Sequence, residues 1–307
     1  MGLMRNKKGI FFMLMTIVII SLFVLSASFF STVALRKSVQ KRVETLSDFV
    51  SNTESDLSRQ ISIFGHRAVL SMISEISGGG AVDYLSISVE DAVNEAFFNA
   101  TIGGNPSDIL TDTTFYELQD LLRQRAATIS AVANLTNPRI NMTQDDPWNV
   151  KIVFSADLFV EDKNKLVSWN KTFSTDVYIH IQNFTDPVYI VGTGGTDNPR
   201  LTKTNITIFD ITTLGEQLDN RYYRNHTGAP SFIDRLEGNI VSPRYPEYGV
   251  ESLVHLQQLG LPDTGQSIVD YIYFSSSGAG CRVSGAPYSW VRLDSPGHTT
   301  AYGVFCV

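Results

Sequence analysis

From Ile10 to Leu35 the chain runs for 26 residues without a charge, a proline or a glycine. A bilayer core about 30 Å thick needs about 20 apolar residues in a helix, so this run is long enough to span one. No other segment of the sequence approaches that length. Everything after Leu35 is therefore expected on one side of a membrane, and the side decides which functions are open to it.

The basic flanks do not choose the side. Arg5, Lys7 and Lys8 precede the run, while Arg36, Lys37, Lys41 and Arg42 follow it. Two other features point outward. Asn-x-Thr sequons without an intervening proline occur at Asn99, Asn134, Asn141, Asn170, Asn183, Asn205 and Asn225, and acceptors of N-glycosylation imply an exported domain. Chance sequons in a Thr-rich chain are the alternative. The only cysteines are Cys281 and Cys306, a pair that reads most simply as one disulfide formed outside the cytoplasm, with two free buried thiols as the alternative. The expectation is a cell-surface, membrane-anchored chain with its N-terminus in and its C-terminal domain outside.

Charge supports a solvated exterior. Setting aside the seven basic residues of segment 1–42, which holds no acid, leaves 17 basic residues against 31 acidic, a net of −14. An exported domain that acidic is a poor ligand for nucleic acid or anionic lipid.

The first nine residues are short and basic, and Lys7-Lys8-Gly9 abuts the apolar run at Ile10. These residues resemble the class III signal of archaeal type IV pilins and archaellins: a charged leader, a glycine and a retained hydrophobic segment. The resemblance covers about the first 35 residues. It implies a cut between Gly9 and Ile10 by a prepilin-peptidase-like enzyme, leaving Ile10 as the mature N-terminus. Bacterial members carry Glu at mature position five, where this chain has Leu14, which argues against a bacterial pilin. A secretory signal cut after Ala34, with Thr32 at the small position two before it, and an uncleaved signal anchor remain as alternatives.

After the membrane run, apolar residues recur at Val39, Val43, Leu46, Val50, Leu57, Ile61, Phe64, Leu70 and Ile73, the stripe of an amphipathic helix. Gly65 is its only weak point before Gly78-Gly79-Gly80. The organisation expected is a basic leader (1–9), a transmembrane or filament-core helix (10–35), an amphipathic stalk helix (36–77), a helical part of a head (81–145) and a β-rich remainder (146–307). Ser88 and Thr114 each open a helix, the second running to about Ala133. Residues 150–160 and 165–181 form a hairpin across the turn Glu161-Asp162-Lys163-Asn164. Strands are expected at 187–191, 205–209, 268–274, 289–293 and 299–307, and helices at 214–223 and 250–259. The fold class is α+β: a long N-terminal helix and a β-rich head with a few helices.

The residues that carry chemistry elsewhere do not group in sequence. His66, His180, His226, His255 and His298 form no His-x-x-x-His or His-Glu-x-x-His, so no metal site is expected. His180 reads as a sheet-face residue and His298 as a turn residue. Gly192-Thr-Gly-Gly-Thr-Asp197 reads as a hairpin loop, and Asp145-Asp146 and Glu161-Asp162 as solvated turn charges. Tyr222, Tyr223, Tyr245, Tyr248, Tyr271, Tyr273, Tyr288 and Trp290 read as core aromatics before a contact surface for carbohydrate or protein. No cofactor motif and no catalytic grouping stands out. The resemblance implies a non-enzymatic subunit of a type IV pilus-like filament. Such a subunit assembles with its own copies through the N-terminal helix, carries a glycosylated head outside, and has surface glycans as a candidate ligand. A signal-anchored adhesin or ligand-binding ectodomain that does not polymerise is the alternative.

Overall fold

The structure, a computed structural model, describes residues 7–78 and 82–307. Met1 to Asn6 of the leader, and Gly79, Gly80 and Ala81 of the glycine linker, lie outside the described residues.

The first element, α1 (Lys7–Gly78), is a single helix of 72 residues, so the greasy run and the amphipathic stripe share one axis. At 1.5 Å per residue it is about 110 Å long. Its two halves differ in surroundings. Phe11–Phe30 has a mean hydropathy of 2.5 with none of it buried. From Leu46 onward one face is enclosed: Leu46, Val50, Leu57, Ile61, Phe64 and Ile73 are buried as the stripe predicts, and Ala68, Met72 and Ile76 continue it. Val43 and Leu70 stay exposed. The amphipathic half is therefore the central helix of its own domain rather than a free stalk.

Gly65 marks the closest approach. A Cβ there would lie 2.4 Å from Ile152 Cδ1 and 3.0 Å from Ile179 Cδ1, so its absence lets the helix axis settle onto the sheet.

Both predicted capping signals work as such. α2 (Val89–Asn99) starts at Ser88, whose Oγ accepts from Asp91 N at 3.1 Å. A two-residue ribbon follows, β1 (Thr101–Ile102) with β2 (Asn105–Pro106). α3 (Phe115–Thr128) starts at Thr114, and Glu117 Oε2 accepts from Thr114 N at 2.8 Å. α3 stops short of Ala133 because Ser130, at φ 54°, turns the chain into a strand.

That strand, β3 (Ala131–Asp146), is the main difference from expectation, which assigned 81–145 to the helical part of the head and placed no strand there. It pairs antiparallel with β4 (Asn149–Asp162), which pairs with β5 (Ser168–His180), giving the order β3-β4-β5. The predicted hairpin is β4–β5, in the register Ile152↔Val177 and Val160↔Trp169. β3 hides in the sequence because its register shifts between Thr136 and Arg139. Pro138 sits in that bulge, where no ladder bond is needed, beside Asn137 at φ 52°. Ala131, Ala133 and Leu135 face inward before the bulge, and Ile140, Met142 and Gln144 after it, so the alternation changes parity midway.

The inner face of β4 is every even residue from Val150 to Asp162. An edge-to-face aromatic series ties α1 to it: Phe64–Phe97 at 4.9 Å and Phe97–Phe154 at 5.5 Å between ring centroids. Asp162, expected as a solvated turn charge, is fully buried and accepts from the Arg42 guanidinium of α1 and from Asn164 N at 2.9 Å. It clamps the hairpin to the helix.

Beyond residue 180 the β-rich expectation gives way to short helices and two-residue strands. In order these are α4 (Pro187–Gly192), α5 (Ile211–Asp219), β6 (Arg224–Asn225), α6 (Phe232–Glu237), β7 (Val250–Glu251), α7 (Leu256–Leu259), α8 (Asp270–Ser275), β8 (Cys281–Arg282), β9 (Arg292–Leu293) and α9 (Gly297–Ala301). Three predicted strands change type: 187–191 is α4, 268–274 overlaps α8, and 299–307 holds α9 with an isolated bridge, Val283↔Cys306. No strand forms at 205–209, and 289–293 shrinks to β9. Of the two predicted helices, 214–223 is α5 displaced toward the N-terminus, and 250–259 divides into β7 and α7. The physical reason is shared. A helix turn buried all round, such as Val188, Tyr189 and Ile190, has the composition of a buried strand. What separates them is Asp186 capping Val188 N at 3.0 Å with Pro187 at the first helical position. Cys281 and Cys306 are joined as a disulfide. The whole is a mixed α and β molecule with one long apolar helix at its N-terminal end.

Candidate functional site

The predicted processing position, Gly9, lies in the first turns of α1 and is exposed, with Ile10 next in the same helix. The seven sequon asparagines are all accessible: Asn99, Asn170, Asn183, Asn205 and Asn225 exposed, Asn134 and Asn141 half-buried. Register places three of them on one surface. Asn134 and Asn170 flank Phe159, and Asn141 lies beside Val153, all on the outer face of the sheet away from α1. None of the eight late aromatics is exposed, and Tyr223, Tyr273 and Trp290 are buried, which fits their core reading. The loop at 192–197 closes α4 rather than a hairpin.

Two polar clusters lie inside the second half of the molecule. The first is built on α6. Arg235 is fully buried and reaches Asp186 Oδ2 at 2.7 Å and Asp270 Oδ2 at 3.0 Å, while also donating to the Val250 carbonyl. Tyr223 donates to Asp186 at 2.8 Å and Ser252 to Asp270 at 2.9 Å. Burial pushes the Asp270 carboxyl up, to about 6, against the pull of Arg235, and neighbouring Asp186 adds to the rise. Burial opposes the charge on Arg235, but the two carboxylates outweigh it and hold the guanidinium firmly charged. Five segments, 186–189, 223, 235, 250–252 and 270, meet here, which makes the cluster a structural hub with its charges satisfied.

The second cluster is less fully satisfied. β6 and β7 pair with Arg224 opposite Glu251, which brings His226, one residue past β6, over the same carboxylate. Gly249 permits this approach, since a Cβ there would sit 2.1 Å from the Ala229 carbonyl oxygen. α9 supplies His298. Its Nε2 lies 2.9 Å from Glu251 Oε2, and its Nδ1 lies 2.8 Å from Asp294 Oδ1, one helical turn earlier. His226 Nδ1 lies 3.2 Å from the same Oε2. One ligand atom from each of His226, Glu251 and His298 falls within 4.8 Å of the others. Tyr271 OH stands 3.3 Å from His298 Nε2. Burial works to lower the His298 pKa, but the Asp294 and Glu251 hydrogen bonds prevail and hold it at about 9. Asp294 is held down at about 2 by His298 in spite of its own burial. Burial lowers His226 in spite of the upward pull of Glu251.

His298, expected in a turn, is thus a buried helical residue. None of His226, Glu251 and His298 lies at the short spacings, His-x-x-x-His or His-Glu-x-x-His, that mark a metal site in sequence. These three side chains are separated by tens of residues and meet only through β6–β7 pairing and the docking of α9. No signal in the one-dimensional pattern marks them.

No protein-family model, no curated protein and no solved structure matches the chain.

Proposed function

We propose that this chain is a structural subunit of a type IV pilus-like surface filament, assembled through α1 with the head outside. The observation that carries the reading is the continuity of α1. One helix presents an apolar, wholly unburied half and then becomes the central core helix of the head. Such a half is stable only in lipid or against other apolar helices. Rigid connection to the head means that bundling the apolar halves would fix the positions of the heads. The Lys7-Lys8-Gly9 junction with Ile10 supplies the release step: a cut there leaves a mature helix starting in apolar sequence. The seven accessible sequons fit an exported head carrying glycans.

A second reading has its own support. Leu14 stands where bacterial pilins place a Glu, a departure that argues against a bacterial pilin. A signal-anchored, non-polymerising ectodomain acting as an adhesin would keep the same anchor and head.

Intact-mass and N-terminal peptide analysis of the chain from its native surface, with negative-stain microscopy of sheared material, tests the proposal. A chain starting at Ile10 in filaments is expected. A chain starting at Met1 and confined to membranes supports the anchored ectodomain, and a start near Leu35 means a secreted protein; either removes the filament reading.

A further inference from the structure

We infer that His226, Glu251 and His298 form a binding site for one divalent metal ion of the zinc class, tying β6, β7 and α9 together. Among the described residues eight buried side-chain polar atoms lack a hydrogen-bond partner, and four of them are here: His226 Nδ1, Glu251 Oε1, Arg224 Nε and the Tyr302 hydroxyl, which faces Glu251 beside Arg224. Buried polar groups are almost always paired, so four unmet ones at one place point to a missing component. Glu251 is fully buried. His226 Nδ1 stands 3.2 Å from Glu251 Oε2 yet makes no hydrogen bond with it, so the nitrogen faces the same space without being satisfied by the oxygen.

The spacing suits coordination. Ligand atoms about 2.1 Å from a tetrahedral ion lie about 3.4 Å from one another. The separations of 3.2 Å and 2.9 Å from Oε2 to the two imidazoles need only a few tenths of an ångström of adjustment. Two imidazoles and one carboxylate are a zinc ligand set, and the nitrogen donors disfavour magnesium and calcium, which take oxygen. His298 already has the supporting partner that ligand histidines use. Asp294 takes its Nδ1, which turns Nε2 toward the site. The positive groups nearest Glu251 are His298, whose Nε2 lies 2.9 Å from Oε2 and gives up its proton when an ion takes that place, and Arg224, with Nε 3.9 Å from Oε1. Its guanidinium is held away from Oε2: it donates to the Ala301 carbonyl at 2.6 Å and stacks on the Phe209 ring at 4.2 Å. Glu251 therefore offers one oxygen edge to Arg224 and the other to the two histidines. With Glu251 and His298 enclosed and only His226 partly open, the ion would serve as a cross-link rather than as a substrate-facing centre.

The test uses tag-free, full-length protein in detergent, stripped with chelator and titrated with Zn²⁺ while binding heat and Tm are recorded. One equivalent should bind saturably and raise Tm, and Mg²⁺ at the same concentration should do neither. His298→Gln removes a buried ion partner and can unfold the head regardless of metal. His226→Phe is the decisive variant, because it keeps a ring against His298 and loses no hydrogen bond. It should leave the metal-free Tm unchanged and weaken Zn²⁺ binding at least about tenfold. The absence of saturable binding, equal binding of Mg²⁺, or unaltered Zn²⁺ affinity in His226→Phe would each overturn the site.

Discussion

Gly65 shows how far one residue's meaning depends on what lies opposite it. In the sequence it is a weak point in a helix, since glycine there costs about 1 kcal/mol relative to alanine. In the fold its missing Cβ is filled by Ile152 and Ile179, both fully buried. Gly65→Val should destabilise the head by about 2 kcal/mol through overpacking, whereas Gly78→Ala, with nothing within 4 Å, should be neutral or slightly stabilising. Urea unfolding of the two variants separates the readings. The Arg235 hub gives a pH prediction. Burial raises the folded pKa of Asp270 to about 6, above its ordinary value of 3.8. Between those values the folded chain holds a proton that the unfolded chain gives up, so this group favours folding at lower pH and loses that contribution as pH rises through 6. The stability advantage of the wild type over Asp270→Asn should therefore be larger at pH 4.5 than at pH 7. An advantage that stays level between those two pH values would show that Asp270 is ionised throughout.

At the scale of elements, legibility followed range. The helix starts at Ser88 and Thr114 could be read because a cap is a contract between residues three apart. The β4–β5 hairpin was readable because a short polar turn joins two long alternating runs. β3 was not, because Pro138 and the bulge shift its inward parity, and only its partner strand shows that both halves belong to one ladder. α4 and α8 looked like strands because elements enclosed on every side lose the period that distinguishes a helix. The Cys281–Cys306 bridge, separated by 25 residues, ties β8 to the last residues of the chain. Cys306→Ser should cost about 3 kcal/mol by loop-closure entropy and fray the Val283↔Cys306 bridge. Hydrogen exchange should then rise in residues 299–307 and leave β4 unchanged, whereas an even rise over the whole head would deny that the bridge acts locally.

For the whole molecule, α1 is the element that both halves share. Its buried face begins at Leu46, so a chain lacking residues 1–35 retains every core contact of the head. Such a truncated chain should be monomeric without detergent and unfold within a few degrees of the full-length protein, as size-exclusion chromatography and thermal unfolding would show. Aggregation of the truncated head would mean that the apolar half supports the fold as well as the anchor. The sequence by itself determined the apolar helix, its amphipathic continuation, the caps, one hairpin and the sequon triplets. Each of these rests on periodicity or on neighbours within a few residues, which local backbone geometry imposes. Only the tertiary structure decided that the amphipathic half is a core helix, that Asp162 and Arg42 are clamped together, and that Arg235 joins five segments. The meeting of His226, Glu251 and His298 belongs to the same class. Contacts between residues tens of positions apart are set by which buried faces fit together, and that fit has no period for a sequence to display.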